Sequence, residues 1–556
     1  MRKAKFLLII ALSMLLLGFL FILPPKATAP AGAQEGNANE IIFTIPIGKE
    51  GVQYEGENVP EMLTWGPAAF TVAPDGSFWI ADTVGNRLLH YSSKGDLLHI
   101  IKLDGHVVGA GDLEATASDI LVLSQASVPP KVVRLSLDGT VVASYELPEG
   151  LRLEDGLSGI ALGDKGEVVV EREGGAFVHQ LVDAEGKFAP RPLEGYIHCG
   201  RLYRARPADL TGADTTRGNI TAGNTNIEVV VPHDLGGLRI LGFSPDCSFY
   251  VIVEEVTVNG AIKVDQTVRH YNAAGKLLGV ARVPIAEYYT YVAQNLAVGP
   301  DGAVYALVTR PDRVEVQRLR FSKELKSILP AVPVETNVQE SESKAIAPLS
   351  CRSRDMMISV SSGYVNNSKY LDSTNTDGLC PGRCKPRYIN GPGTYPSVPY
   401  DWGGWDTVND YNSYMYPNTY QAGDAPRTDC TATREDCSKG TDCSGFVSRC
   451  WGLSEKHRTC PGTPSLENVS CQLKRVSCLK RGDILIKCDV HVILFNNNAN
   501  NGIYGSESTT YNSYDRVVYI FSSWSRLSDY VPRRYCNVCT YTCIDPACVV
   551  QPTPCQ

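Results

Sequence analysis

The sequence predicts a multidomain protein in which an all-β propeller of about six blades is followed by an α+β domain rich in disulfides. Three observations predict this fold class. The chain has 556 residues, more than one hydrophobic core usually serves. A β-prone repeat recurs in its first part, and 16 of its 18 cysteines lie between residues 351 and 555. The two parts are therefore expected to differ in architecture and in chemistry.

The first 33 residues have the layout of a secretion signal. Met-Arg-Lys-Ala-Lys carries positive charge and runs directly into an apolar stretch over residues 6–23. We expect export with cleavage after Ala33, to a secreted or cell-envelope location. The alternative is an uncleaved N-terminal anchor, and only in that case is the membrane a partner.

The next segment repeats. Pro-Asp-Gly turns precede β-prone runs at residues 74–76 and 300–302, and degraded copies lie at 164–166 and 245–247. Their spacing indicates a period of about 45 residues, the length at which four-stranded propeller blades recur. With a weaker copy near residue 119 and another around 203–231, six blades are predicted over residues 39–333. Residues 39–47 are expected to supply the missing strand of the last blade.

Residues 81–87 contain Ala-Asp-Thr and Gly-Asn-Arg, a pattern that resembles NHL-type propeller repeats. The resemblance implies a surface that binds a ligand or protein, of unknown identity, and no reaction of its own. No histidine cluster or paired carboxylates with ligand spacing occur here, so we predict neither a metal nor a cofactor. The net charge of −8 supplies no basic field and argues against nucleic acid as a partner.

A linker is predicted over residues 334–350, where few apolar residues are available for burial. After it comes the segment with the clearest chemical signal, residues 440–453. Small polar residues there precede an apolar pattern that suits a helix beginning near Cys443. Unpaired N–H groups and the helix dipole at that end favour a thiolate, the form that attacks a carbonyl carbon.

About 40 residues later, two β-prone runs over residues 484–495 indicate antiparallel strands. His491 is the only histidine in them, and it points to the face opposite Val490 and Val492. A histidine in this place can reach toward the helix end that carries Cys443.

Together these motifs resemble the NlpC-type papain-like cell-wall cysteine peptidases. The similarity is carried by Asp-Cys-Ser-Gly-Phe-Val at 442–447, by Gly-Asp at 482–483 before the strand with His491, and by Tyr-Asp-Trp-Gly-Gly at 400–404. It covers about residues 395–535. It implies a papain-like domain over residues 351–535 that hydrolyses amide bonds of peptidoglycan stem peptides or of a related cell-surface peptide.

The resemblance also implies roles for individual residues. Cys443 is the nucleophile and His491 the base. Tyr400 stabilises the oxyanion, and Trp402 belongs to the same substrate-binding motif. Asp442 and Ser444 correspond to residues that receive a free amino group of the substrate.

In this family, a third catalytic residue, which is polar and lies on the strand after the base, orients the histidine. This chain departs from the family at that third position. Glu507 is our choice, because a carboxylate accepts the second N–H of the imidazole and stabilises its charged form. Ser506 and Asn498 are the alternatives.

Residues 536–556 form a cysteine-rich tail with Cys536, Cys539, Cys543, Cys548 and Cys555. Disulfides are the preferred interpretation in an exported chain, and a zinc site is the alternative. If Cys443 is the nucleophile, the odd number of remaining cysteines in this half requires another free or externally paired thiol.

Two further functions compete with peptidoglycan hydrolysis. The first is an adhesion or scaffold protein whose papain-like domain does not turn over. The second is acyl transfer or amide hydrolysis on a substrate outside the cell wall, because the same dyad serves those reactions.

Overall fold

The computed structural model describes residues 38–207, 209–212, 214–330, 351–377, 380, 384–427, 430, 437–460, 462–539, 543 and 547–550. The predicted signal of residues 1–33 and the linker of residues 334–350 lie outside them. From Asn39 onwards the described residues belong to one compact unit. Strands dominate, and helices are few.

Six four-stranded antiparallel sheets occupy residues 40–318. The turn copies at residues 74–76, 164–166, 245–247 and 300–302 each join two neighbouring strands of one sheet. The first three sheets contain β2 (Ala69–Val72), β3 (Phe78–Asp82), β4 (Arg87–Tyr91) and β5 (Leu97–Lys102); β6 (Ala110–Ala115), β7 (Asp119–Ser124), β8 (Lys131–Ser136) and β9 (Val141–Glu146); and β10 (Leu157–Leu162), β11 (Val168–Arg172), β12 (Phe177–Val182) and β13 (Phe188–Leu193).

The fourth sheet includes the copy that was least visible in the sequence. Its outer three strands fall within or next to residues 203–231, as expected. The last three sheets contain β14 (Tyr196–His198), β15 (Arg201–Arg206), β16 (Arg217–Ala222) and β17 (Thr225–Val230); β18 (Asp234–Phe243), β19 (Phe249–Asn259), β20 (Ala261–Tyr271) and β21 (Leu277–Arg282); and β1 (Glu40–Pro46), β24 (Arg313–Arg318), β23 (Val304–Thr309) and β22 (Leu296–Val298).

The sixth sheet is closed by the N-terminal strand. β1 pairs antiparallel with β24, with Glu40 opposite Arg318 and Pro46 opposite Arg313. This confirms that residues 39–47 supply the missing strand. Pairing the two ends of the repeat region gives the sixth sheet four strands, as in the other five.

A central cavity of about 340 Å³ is lined mainly by one strand from each sheet, namely β2, β6, β10, β14, β18 and β22. In five sheets this strand is the first in chain order. In the sixth it is β22, which lies at the edge opposite β1. Six sheets arranged around one cavity constitute the architecture of a β-propeller. Apolar side chains fill the space between neighbouring sheets, as where Trp79 and Leu88 pack with Leu113 and Val122.

The part after residue 350 is built on a six-stranded antiparallel sheet in the order β29-β34-β30-β31-β32-β33, with two small two-stranded sheets beside it. Among the described residues, four α-helices accompany the strands. Its elements are α1 (Arg354–Val365), β25 (Ser368–Leu371), α2 (Ser373–Thr376), β26 (Gly393–Pro396), α3 (Val408–Tyr414), β27 (Gln421–Ala422), β28 (Ser438–Lys439), α4 (Cys443–Trp451), β29 (Ser470–Gln472), β30 (Ile484–Lys487), β31 (His491–Ala499), β32 (Gly502–Thr509), β33 (Arg516–Ser523) and β34 (Val531–Tyr535).

Helix α4 is the element that positions the site. It packs in one core with the sheet, where Phe446 and Val447 are buried together with Ile484 and Val492. The helix ends at Gly452, whose φ of 73° is the left-handed conformation that glycine adopts without steric cost. A helix buried along its length except at Arg449 holds its first residue firmly against the strands.

The propeller and the C-terminal part share an extensive interface. Trp65 of the propeller lies in one apolar cluster with Tyr511, and Ile262 lies in another with Trp524. The hairpin of β19 and β20 extends the contact, because the Ile262 backbone N–H donates to the Tyr530 carbonyl at 2.8 Å. The predicted domain boundaries therefore separate two regions that pack on a common apolar surface.

Disulfides are numerous after residue 350, in agreement with the cysteine distribution. Many disulfides indicate that the protein matures in an oxidising, extracellular environment. No helix within the described ranges has the length and apolarity needed to cross a bilayer. The bonds among described cysteines are Cys199–Cys247, Cys351–Cys539, Cys380–Cys437, Cys384–Cys430, Cys460–Cys488, Cys471–Cys543 and Cys478–Cys548.

In the tail, Cys539, Cys543 and Cys548 all form disulfides, which agrees with the preferred interpretation and removes these three from a zinc site. Cys555 lies outside the described residues. Two described cysteines, Cys443 and Cys450, are free thiols, so the second unpaired cysteine that parity required is Cys450.

Candidate active site

Cys443 is the first residue of α4, as expected from the sequence. Asp442 caps the helix, accepting a hydrogen bond from the Gly445 backbone N–H at 2.8 Å. The helix start lies directly against β31, because the Val492 backbone N–H donates to the Cys443 thiol. Cys443 is thus adjacent to the residue that follows His491.

The thiol is completely buried in this structure, and burial raises its pKa well above the usual range of cysteine. The carboxylates of Asp442 and Glu61 raise the pKa further, whereas Lys456 and the Val492 N–H lower it. The expected effect of the helix N-terminus is therefore outweighed here, and the thiol is protonated. Opening this environment to water would reverse the largest contribution.

His491, Glu507 and Arg526 form a buried, hydrogen-bonded set. His491 Nε2 lies 2.6 Å from Glu507 Oε2, so Nε2 is the ring nitrogen that faces the carboxylate. Arg526 binds both carboxylate oxygens, with Nη1 to Oε1 at 2.7 Å and Nη2 to Oε2 at 2.9 Å. Although burial alone would raise the pKa of Glu507, the charge of Arg526 and the hydrogen bond from His491 lower it to about 2. Glu507 is ionised across the physiological range.

The two alternatives to Glu507 have other surroundings. Ser506 Oγ accepts a hydrogen bond from Asn496 Nδ2 at 2.6 Å, and Asn498 is exposed near the end of β31. Of the three residues weighed on sequence grounds, Glu507 is the one with a hydrogen bond to His491.

Tyr400 is buried near Cys443, and its hydroxyl has no hydrogen-bond partner among the described residues. Burial and the nearby Cys443 raise its pKa well above the usual range, so the hydroxyl keeps its proton. A buried, protonated and unpartnered donor is the kind of group that stabilises an oxyanion. Trp402, in contrast, donates its indole N–H to the Pro60 carbonyl of the propeller at 3.0 Å.

Asp442 and Ser444 lie where the resemblance places them, but both already have partners. Asp442 Oδ2 forms an ion pair with the Lys456 ammonium and also accepts a hydrogen bond from the Gly403 N–H at 3.0 Å. The Ser444 hydroxyl is 3.1 Å from Glu61 Oε2. A substrate amino group would have to compete with Lys456 for Asp442.

Glu61 is the main residue of the site that sequence reasoning missed. It belongs to the segment between β1 and β2, and its carbonyl oxygen lies 3.5 Å from Cys443 Sγ. Its carboxylate accepts hydrogen bonds from the Thr459 N–H at 2.6 Å and from Ser444. No local motif marks Glu61, Thr459 or Lys456, because their meeting depends on how the propeller packs against the C-terminal part.

Comparisons with known proteins address the fold only. No protein-family model matches the chain, and no curated protein matches it. Among solved structures, virginiamycin B lyase from Staphylococcus aureus is similar at 14% identity and a TM-score of 0.26, covering 46% of this chain and 95% of that chain. A member of the DUF4221 family from Bacteroides vulgatus is similar at 9% identity and a TM-score of 0.31, covering 51% and 97%. Both neighbours are β-propeller-like.

Chemically, the described site offers a thiol, an imidazole oriented by an ionised carboxylate, and a free phenolic donor. Among the described residues, two groups of histidine, cysteine and carboxylate side chains lie close enough together to hold a metal. Each group includes a pair of disulfide-bonded cysteines, Cys199–Cys247 in one and Cys460–Cys488 in the other. A thiol, an imidazole and a phenol are the residue types that nucleophilic attack on a carbonyl uses.

Proposed function

We propose that this protein is an exported cysteine hydrolase, with a papain-like catalytic domain of the NlpC type and a propeller that binds substrate, cell wall or a partner. The observation that carries the proposal is the buried His491–Glu507–Arg526 set beside Cys443 at the start of α4. The substrate class is the peptide of peptidoglycan, or a related cell-surface peptide, cleaved at an amide bond.

In the proposed reaction, His491 takes the thiol proton while Sγ of Cys443 attacks the carbonyl carbon. The Tyr400 hydroxyl and the Cys443 backbone N–H stabilise the oxyanion. When the tetrahedral intermediate collapses, the C–N bond breaks and His491 protonates the leaving amine. Water, deprotonated by His491, then attacks the thioester, and the acid leaves as the thiol is restored.

Ionised Glu507 stabilises the imidazolium that forms in both steps. Because Arg526 holds both oxygens of Glu507, the carboxylate cannot rotate away from His491 without losing two charge-assisted hydrogen bonds. The role of Arg526 is to position Glu507, and it has no contact with the reacting atoms.

The test is digestion of purified sacculi and of soluble muropeptides, with mass spectrometry of the fragments. New amine and carboxyl termini at one amide bond support the proposal. Fragments that gain an acyl group in place of water would indicate acyl transfer.

One observation favours the non-catalytic alternative, an adhesion or scaffold function: the thiol is buried and protonated. Iodoacetamide trapping distinguishes the two. A Cys443 that stays unmodified in the presence of cell-wall fragments, together with no fragment release, would favour the scaffold.

A further inference from the structure

The pocket beside Cys443 contains a carboxylate that is not part of the proposed triad. The carboxylate of Glu61 accepts hydrogen bonds from the Thr459 N–H at 2.6 Å, the Thr459 hydroxyl at 3.3 Å and the Ser444 hydroxyl at 3.1 Å. Lys456 Nζ lies 3.8 Å away. Three donors and an ammonium, all from the C-terminal part, thus converge on one carboxylate from the propeller.

Lys456 changes what this pocket can bind. Its ammonium already pairs with Asp442, the residue that the family resemblance assigns to a substrate amine. Lys456 is itself largely buried, with a side chain about 15% exposed. Asp442 and Lys456 thus satisfy each other, and the remaining donors, from Ser444 and Thr459, suit the two oxygens of a carboxylate, as they do those of Glu61.

Residues of the C-terminal part also hold the backbone around Glu61. The Glu61 N–H donates to the Asp489 carbonyl at 2.9 Å, and the Trp402 indole holds the Pro60 carbonyl. Asn58 and Glu61 have φ values of 60° and 59°, a left-handed conformation that a glutamate rarely adopts. This strain is held only because the contacts on the C-terminal part compensate for it.

We infer that Ser444, Lys456 and Thr459 form a carboxylate-binding pocket, and that residues 58–62 act as a latch that fills it with Glu61 and covers the Cys443 thiol. The ligand class is a carboxylate on a short side chain. A ligand of this class that enters the pocket displaces the latch and exposes the thiol. This inference deepens the proposed hydrolase function and rests on it for its biological meaning.

The latch is tested on the full chain by the rate at which iodoacetamide alkylates Cys443, measured by peptide mass spectrometry. In Glu61→Ala the rate should rise about tenfold or more, because the variant removes the carboxylate contacts. Glu57→Ala is the matched control: Glu57 is exposed in the same segment and binds the Tyr289 hydroxyl at 2.9 Å. It should react at the wild-type rate.

Cys450 provides an internal reference, since it is a second buried free thiol in α4. It should stay unmodified in every variant. Equal Cys443 rates in wild type and Glu61→Ala would overturn the latch. So would a parallel rise at Cys450, because that result would mean general opening of the domain.

The pocket is tested separately by calorimetric binding of N-acetyl-L-glutamate and of N-acetyl-L-glutamine, its uncharged match. Glu61→Ala should bind the glutamate at least about tenfold more tightly than the glutamine, and the double variant with Lys456→Met should lose this preference. Equal binding of both compounds to Glu61→Ala would overturn the carboxylate pocket.

These readouts do not need turnover. If alkylation and binding follow expectation while no variant releases fragments from muropeptides, the latch stands and the hydrolase function fails. If muropeptides are cleaved equally by wild type and Glu61→Ala with unchanged alkylation, the hydrolase stands and the latch fails.

Discussion

The buried carboxylates in the central cavity of the propeller and the buried carboxylate of Glu507 beside Cys443 are stabilised in opposite ways. In the cavity, the carboxylates accept hydrogen bonds from neutral donors. Backbone N–H groups donate to Asp112, the Thr71 hydroxyl donates to Glu114, and the Tyr196 hydroxyl donates to Glu171. Burial raises the pKa of all three, that of Glu114 to about 7. At the site, Arg526 and His491 overcome the same burial and lower the pKa of Glu507 to about 2.

The difference shows that burial alone does not decide the charge of a carboxylate; the partner does. The cavity of the propeller changes its charge near neutral pH, whereas the orienting carboxylate of the site stays ionised. A reactive centre needs the second kind of environment, because its hydrogen bonds must survive ordinary changes in pH.

The largest expected effect separates the two regions by function. Cys443→Ala should leave the chain folded and reduce hydrolysis at least about 10⁴-fold, because the attacking sulfur is gone. Cys443→Ser should be nearly as inactive. Glu114→Gln, a substitution in the cavity of the propeller, should keep turnover of soluble peptides. Retained fragment release by Cys443→Ala would refute the mechanism.

The next effect tests the orienting carboxylate. Glu507→Ala should reduce kcat by about 10²-fold to 10⁴-fold, since His491 loses its partner, and should cost about 3–5 kcal/mol of stability by leaving Arg526 buried without its counter-ion. Glu507→Gln retains an oxygen acceptor and should lose less activity. Kinetics below the melting temperature of each variant keep the two effects apart. Negligible loss in both variants would assign the orienting role elsewhere.

The two pKa shifts predict opposite pH dependences of stability. Ionised Glu507 stabilises the fold above its unfolded pKa of about 4.5, and this contribution, on the order of 3 kcal/mol, is lost as the pH falls toward about 2. Urea unfolding of wild type and Glu507→Gln should therefore converge as the pH decreases from 4.5. A constant difference over that range would contradict the low pKa.

The smallest effect concerns the cavity. Glu114 has a raised pKa, so its favourable contribution is complete below pH 4.5 and is lost as the pH rises through about 7. Glu114→Gln does not ionise and should be more stable than wild type at pH 8 by about 1–2 kcal/mol, after allowance for screening by water in the cavity. At pH 4 the advantage should be absent. Equal unfolding curves at pH 8 would remove the contrast between the two regions.

Features encoded by local patterns were predictable from the sequence. The turn repeats identified the six sheets, and the β-prone residues 39–47 correctly indicated the closing strand. The apolar pattern after Cys443 located α4, and the polar position on the strand after His491 led to Glu507, which does contact His491. In each case the relevant residues are close in sequence or follow a fixed period.

The latch and Arg526 were not predictable in this way. Glu61 and Cys443 are separated by 382 residues, and their contact exists only because the propeller packs on the C-terminal part. The same packing surrounds the thiol with protein and reverses the pKa shift expected from the helix end alone. Local sequence carries no information about which distant carboxylate will lie beside a given thiol.

The closure of the sixth sheet by β1 also sets an order of events during synthesis. β1 is made first, but its partner lies 278 residues further along, as measured by the contact of Asn39 with Gln317. The ring therefore cannot close until nearly the whole propeller has been synthesised, and the cost of joining such distant segments slows that step. Because the latch lies between β1 and β2, the nascent chain carries its own thiol cover well before the thiol itself is synthesised.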